Sequence, residues 1–418
     1  MPKLAEKNQC TGCTACVSIC PRNCIQMKKD NAGFEFPVIM ERSACIACGA
    51  CERVCPVLMK KKDDENLSTS AYAAFSNNNA LRLESSSGGI FSELAATILQ
   101  RGGVIYGASY DDEGVVRHIE IKEQTELGKL RGAKYSQSIL GDSFLSIKKQ
   151  LDSGRIVLFS GTPCQVAGLK AFLKRDYENL VCIDFVCHGV PSPMVWEKYV
   201  KYRSLTDNSD SFPQHINLRN KESGWSHYAY SVKFAYADKK RYLCKNGDDP
   251  FMQLFVKDYK DVEKVSVRTA YGVLASVTGI FCNILLFAAK WLIGYLLHSI
   301  SVSDITLGDF WGIWNINPKM DDNKGTSLIL THTAKGEKMM NAVSENIKCE
   351  QVYLEQAARE NPSLLRSSVH KQNRDIVLKT IESENFQEIL PLLQVKQPQR
   401  RSKKEIIKRV LKKLCGLG

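Results

Sequence analysis

The chain opens without an apolar leader. Met1 to Gln9 is polar and charged, so no secretory signal is expected. No Gly-x-Gly-x-x-Gly run stands at a strand–helix junction, so a Rossmann-type NAD site is not supported. Nucleic acid is not an expected partner. The bulk composition excludes little: 418 residues, 44% hydrophobic and 24% charged, are enough for two or three domains with real cores. Cysteine is what the chain has in excess. Nine of its 16 cysteines fall between Cys10 and Cys55. In a long chain with no leader they read as metal ligands, not disulfides. Ligating thiolates need a reducing compartment, so the N-terminal part is expected in the cytoplasm. The net charge is +12, and much of the excess lies in the tail around Arg400-Arg401-Ser402-Lys403-Lys404.

The cysteines form a repeat. Cys10-x2-Cys13-x2-Cys16-x3-Cys20-Pro21 is followed by Cys45-x2-Cys48-x2-Cys51-x3-Cys55-Pro56. Three cysteines at this spacing wrap one face of a cubane, and in the two-cluster bacterial ferredoxin arrangement the fourth of each run serves the other cluster. One [4Fe–4S] cluster is therefore assigned to Cys10, Cys13, Cys16 and Cys55. The other takes Cys45, Cys48, Cys51 and Cys20. A pair of zinc knuckles is the competing reading; the third close cysteine and the proline in both copies argue against it. Cys24 stands outside the pattern and reads as a small packed residue.

A charged linker follows (59–70). From Ala71 to Asp258 strand and helix patterns alternate: a helix over 90–101, a strand over 103–109, a strand over 155–160 before Gly161-Thr162-Pro163, a helix over 165–174, a strand over 180–187 and a helix over 194–202. This predicts an α/β sheet with parallel strands. Beyond residue 303, a strand over 327–333 and a helix over 335–347 are expected.

Four motifs in this region carry chemistry. Ser85-Ser86-Ser87-Gly88-Gly89 precedes a helix, where serines can cap it and glycines can let a phosphate approach the backbone. Gly132-Ala133-Lys134-Tyr135-Ser136-Gln137 sets a cation beside an aromatic ring. Gly161-Thr162-Pro163-Cys164-Gln165 opens a helix after a buried strand, where α/β folds bind ligands; Cys164 there is expected to have a lowered pKa. Cys187-His188-Gly189-Val190-Pro191 repeats that placement, with a packed cysteine and a hydrogen-bonded histidine as the plainer reading.

In that order, and followed by Ser303-Asp304-Ile305-Thr306-Leu307-Gly308-Asp309-Phe310-Trp311-Gly312, these motifs resemble the coenzyme F420 hydrogenase/dehydrogenase beta-subunit family over residues 5–258 and 303–350. Members with a fused ferredoxin module look most similar. The resemblance implies a flavin, usually FAD, held by Ser86, Ser87, Gly88, Gly89, Lys134, Tyr135, Gly161, Thr162 and Gln165. Cys164, Cys187 and His188 are the candidate catalytic residues. A flavin belongs between one-electron clusters and a two-electron substrate. The implied activity is an iron–sulfur flavoprotein oxidoreductase that exchanges electrons with a ferredoxin or other redox protein. Its substrate would be small, either deazaflavin-like or a polysaccharide-pathway metabolite. A non-catalytic electron-transfer subunit is the alternative.

The chain departs from the family over 256–302. Many relatives carry a Cys-Leu-Arg-Pro-Ser-Cys-type stretch there, which with Cys164 and Cys187 would make a further metal or redox site. Here Val273 to Ala289 is instead an uncharged apolar run, long enough with Trp291–Leu297 to span a bilayer. Residues 256–302, from Tyr259-Lys260-Asp261-Val262 through Asn283-Ile284-Leu285-Leu286-Phe287 to Ser299-Ile300-Ser301-Val302, resemble the first membrane helix of cation diffusion facilitator transporters, so the segment reads as a transporter fragment in a chimeric, partly inactive chain. A single span would separate Ser303-Asp304 from the domain it should complete. Lys403 to Leu414 would form a basic amphipathic helix that, with 273–300, suits a membrane surface. The expected fold is thus α+β and α/β. A bacterial-ferredoxin-like dicluster domain (1–58) precedes a mixed α/β flavin-type domain (71–258), interrupted by an apolar helical insert (259–302). The remainder of the family pattern (303–395) and the basic tail (396–418) complete it.

Overall fold

The computed structural model describes residues 2–59, 69–207, 212–255, 302–364, 374–383 and 385–390. The charged linker, nearly all of the apolar insert and the basic tail lie outside these residues. Among the described residues no helix is long and apolar enough to cross a membrane.

The cysteine repeat folds as two similar halves. A short helix follows the second cysteine of each run: α1 (Ala15–Ser18) and α2 (Ala50–Arg53). Strands β1 (Ile25–Lys29) and β2 (Glu35–Ile39) pair antiparallel between them, with Ile25 opposite Ile39.

The α/β region begins with β3 (Ser70–Ser76), α3 (Asn79–Glu84), α4 (Ile90–Gln100), β4 (Val104–Tyr110) and β5 (Val116–Ile121). It continues through α5 (Ser143–Asp152), β6 (Val157–Ser160), α6 (Pro163–Leu173), β7 (Leu180–Phe185) and α7 (Pro193–Thr206). Strands β8 (His215–Asn220), β9 (Ser231–Ala235) and β10 (Arg241–Lys245) form a separate three-stranded antiparallel sheet, and α8 (Pro250–Phe255) follows. Then come β11 (Ile305–Asp309), α9 (Ile313–Ile316), β12 (Ser327–Thr331), α10 (Ala334–Ala342), β13 (Ile347–Val352), α11 (Leu354–Arg359) and α12 (Arg374–Ser383).

The main sheet has eight strands in the order β13-β3-β12-β11-β7-β6-β4-β5. Its centre, β11-β7-β6-β4, is parallel, and antiparallel strands flank it on both sides. Parallel strands covered on both faces need continuous apolar runs, and Val157, Leu158 and Phe159 of β6 supply one. One face packs under α4 and α10 through Ile90, Leu94, Ile98, Met339 and Met340. The other packs under α5 and α6 through Phe144, Ile147, Leu169 and Phe172. A third core joins α7, the small sheet and α8.

The Ser303–Gly312 motif sits in the middle of this sheet. β11 pairs with β7 on one side and β12 on the other. Asp304 locks the junction: one carboxylate oxygen accepts the Cys182 N–H at 2.8 Å and the other the Thr333 hydroxyl at 2.7 Å. Strand pairing therefore builds β11 into the same sheet as β7, and the apolar run read as a membrane span (273–297) lies outside the described residues.

Candidate functional site

Both cysteine loops wrap in the same way. In the first run Gly12 (φ 65°) and Thr14 (φ 62°) lie in the left-handed region; in the second, Ala47 (φ 52°) and Gly49 (φ 65°) occupy the equivalent places. The four thiols assigned to the first cluster, Cys10, Cys13, Cys16 and Cys55, are all buried or half-buried. The Cys16 thiol is pushed up by burial, then by Cys13, Cys10, Cys55 and Cys51. Cys13 rises to about 12 for the same reasons, burial first and then Cys10 and Cys55. Thiols that oppose each other's ionisation are the donor set a cationic cluster relieves. Cys20, Cys45, Cys48 and Cys51 surround a second small recess with Pro21, Cys24 and Ile25. The residues thus fit two clusters in the crossed assignment. Cys24 is buried, with its sulfur 3.4 Å from that of Cys20, so it packs against a ligand.

The two loops differ in their surroundings. Cys48 is exposed, whereas Cys13 and Cys16 are buried. α1 lies against α6 so closely that a Cβ on Gly168 would stand 2.9 Å from the Cys13 Cβ and 3.0 Å from its sulfur. Only glycine admits this approach. The dicluster hairpin is fixed to the α/β region by Gln137, whose side chain accepts the Glu35 N–H at 2.8 Å. Ser192 adds a second tie, its hydroxyl donating to the Ala32 carbonyl at 2.6 Å.

Thr11 and Gly12 then form part of the wall of a cavity of 310 Å³ over the C-terminal ends of β6, β7 and β11. Eight of the nine sequence-predicted flavin residues line it: Ser86, Ser87, Gly89, Lys134, Tyr135, Gly161, Thr162 and Gln165. Gly88 does not. Its N–H donates to the Ser327 hydroxyl at 2.9 Å, and a Cβ there would meet the Ala74 carbonyl at 2.4 Å. Its smallness serves packing between β3 and β12, not ligand approach. The serines also do not cap α4. Gly89 occupies the N-cap position at φ 88°, while Ser85 donates to the Leu81 carbonyl and Ser87 to that of Thr326. The N–H groups of Gly89, Ile90 and Phe91 make no hydrogen bond to another described residue. Such orphan donors suit an anion.

Cys164, Cys187 and His188 all reach the same wall. Cys164 is not a thiolate: burial drives its pKa upward, against the lowering expected at a helix start, and its sulfur lies 2.8 Å from the Thr162 hydroxyl. The helix start is instead closed by a capping box in which Gln165 accepts the Thr162 N–H at 2.9 Å; its amide also donates to Ser138 at 2.8 Å. His188 bonds the Ser363 hydroxyl through Nδ1 at 2.7 Å. Lys134 donates to the Arg131 carbonyl at 2.6 Å, and burial pulls its ammonium down to about 7.

Three cavity residues carried no motif. Arg219, from β8, pairs with Asp309 and lies over the rings of Tyr230 (4.1 Å) and Trp311 (5.1 Å). Arg131 donates to Ser92 at the start of α4 at 3.1 Å. His118, on β5, bonds the Ser160 carbonyl through Nε2 at 3.1 Å and stacks on Phe159. Asp309 and Trp311 stood inside the family motif, but neither was singled out.

Two family models match the chain. Residues 9–59 match the 4Fe-4S dicluster domain, and residues 154–217 match the C terminus of the coenzyme F420 hydrogenase/dehydrogenase beta subunit. No curated protein matches it. Among solved structures, a xenon-derivatised F420-reducing [NiFe] hydrogenase complex from Methanosarcina barkeri contains a similar chain. It is 12% identical, covers 80% of this chain and 95% of its own, and has a TM-score of 0.41. The first segment is the paired cysteine loops, and the second runs from β6 into β8 along the cavity floor. An iron–sulfur domain that carries electrons is thus joined to the part of the fold that forms the cavity. The chain carries a 4Fe-4S dicluster domain over residues 9–59, and over residues 154–217 it is similar to the C terminus of the coenzyme F420 hydrogenase/dehydrogenase beta subunit.

Proposed function

We propose that this protein is an iron–sulfur flavoprotein oxidoreductase in which electrons run between a redox-protein partner, two [4Fe–4S] clusters and a flavin, FAD, held in the cavity. The observation that carries the reading is that Thr11 and Gly12, which lie between the ligands Cys10 and Cys13, form part of the cavity wall. The cluster of Cys10, Cys13, Cys16 and Cys55 is therefore proximal to the cavity. The cluster of Cys45, Cys48, Cys51 and Cys20 is distal.

The residues suit a flat, anionic ligand. The orphan N–H groups at the start of α4, with Ser86, Ser87 and Arg131, would hold its phosphates. Lys134, Tyr135, Gly161, Thr162 and Gln165 would line its ring system. When bound, a flavin converts single electrons into a pair. Cys187 and His188 stand on the wall where a small substrate, the deazaflavin class included, would be contacted. Burial opposes ionisation of Cys164, whose thiol offers the site a weak hydrogen-bond donor. A concave cavity with convergent polar groups favours an enzyme over a passive subunit, which would present a flat apolar face.

Anaerobic purification with iron, sulfide, zinc and flavin analysis tests this. About eight iron atoms per chain are expected for two cubanes, with bound flavin. Cys48→Ser should remove about half the iron, and Cys24→Ser none. Stoichiometric zinc in place of iron would sink the cluster assignment; a folded, iron-loaded but flavin-free protein would sink the flavin.

A further inference from the structure

The two cluster loops have the same backbone shape, yet among the described residues only one is covered. The proximal loop is sealed by α6. Over the distal loop the chain leaves Ile46 61% exposed, with Ala47 and Cys48 exposed beside it. Ala47 holds a left-handed backbone (φ 52°) with a methyl side chain, a local cost borne at the outermost point of the loop.

Charge surrounds this apolar tip. Arg22 shares the cluster recess with Ile46 and Cys48. Arg53 lies across the loop, its guanidinium donating to the Cys48 carbonyl at 2.9 Å. Arg42 is exposed on the near side, its carbonyl accepting the Cys45 N–H at 3.3 Å. The acidic groups nearby are Glu41, in the recess adjoining Arg22, and Glu52, which accepts the N–H of Lys3 at 2.6 Å. Among the described residues the rim therefore sets three arginines against Glu41 and Glu52. Arginine is the side chain best suited to bidentate carboxylate contacts.

We propose that this rim, Arg22, Arg42 and Arg53 around Ile46 and Cys48, is the docking face for a small acidic one-electron carrier protein. One electron passes from the reduced carrier to the distal cluster; the carrier is oxidised by one electron, the cluster is reduced by one, and no bond forms or breaks. The apolar centre is small and the rim cationic. The encounter is therefore of the transient, electrostatically steered kind: fast to form, weak, and sensitive to salt. The proposal rests on the clusters acting as the electron entrance, but not on what fills the cavity.

The full cluster-loaded chain and an acidic plant-type [2Fe–2S] ferredoxin test it. Two readouts are taken: the rate of cluster reduction by the reduced ferredoxin, and the affinity for the oxidised one. Arg22→Glu/Arg42→Glu/Arg53→Glu should lower both by about tenfold or more at low salt, and should remove the decline with ionic strength shown by the unmodified chain. Iron content and reduction by the small cation reduced methyl viologen should not fall. A control reversal at exposed cations elsewhere, Lys122→Glu/Lys129→Glu/Arg175→Glu, should leave both readouts near the original. Equal losses in the two variants would mean that net charge acts, not this face, and would overturn the proposal. So would an unchanged rate in the arginine variant. A chain that shows the arginine dependence but binds no flavin leaves the docking face standing and sinks only the cavity assignment.

Discussion

His118 shows what a single buried titratable group does here. Burial, chiefly, lowers its pKa from 6.5 to about 4, with the Ser160 carbonyl opposing and Lys134 adding to the shift. The unfolded chain takes up a proton near 6.5 that the folded one refuses until about 4. This contribution to stability is fully present above 6.5 and is lost as pH falls through that window. His118→Asn should therefore unfold with a shallower loss of stability between those two values, measured by denaturant midpoints at several pH values. Parallel curves for the two proteins would refute it. The cysteines were legible residue by residue because their chemistry lies in short spacing: the first three of each run form a contiguous loop around one cluster site, and the fourth is set by the repeat. His118, Arg131 and Arg219 were not. They come from separate elements, and nothing local marks a lone cation or imidazole as facing a cavity.

At the scale of elements, periodicity located the helices and strands it named to within a few residues, but left β3, β5, α5, β13 and the three-stranded sheet unnamed. α4, expected over 90–101, spans Ile90–Gln100, and the strand expected over 155–160 is Val157–Ser160. The turn before α4 was legible in place but not in mechanism. Its serines bond neighbouring strands and turns, and its two glycines do different work: Gly89 supplies a left-handed N-cap, while Gly88 lets β3 and β12 close over the loop. Gly88→Ala should therefore destabilise the protein by about 1–3 kcal/mol through overpacking against backbone. Gly128→Ala, with open space around its Cβ position, should change stability by less than about 0.5 kcal/mol. Equal midpoints for the two variants would show that the close approach is absent in solution. The same experiment separates packing from ligand approach, since Gly88→Ala should lose stability with or without added flavin.

For the whole molecule, the proposed order of electron flow, distal cluster to proximal cluster to cavity, makes a directional prediction. Cys10→Ala should cost the proximal cluster alone. Such a protein should keep about half its iron, retain bound flavin and still accept electrons at the distal cluster, while reduction of the flavin by that route stops. Stopped-flow absorbance separates the two events; flavin reduction at the original rate would break the order. What the sequence by itself determined is the set of pieces: the paired cysteine loops of a dicluster domain, a parallel α/β core and the motifs that line a cavity at the ends of its strands. These follow from contact chemistry within a few residues of chain and from apolar periodicity, both of which are local. What only the tertiary structure decided is their arrangement. α6 bears on Cys13 because Gly168 admits it, and β11 enters the sheet beside β7 although almost fifty residues separate it from α8. Cys164 is buried deeply enough to lose the ionisation its helix position suggested. Burial, dielectric and close approach are set by segments distant in sequence, and no short stretch of chain encodes them.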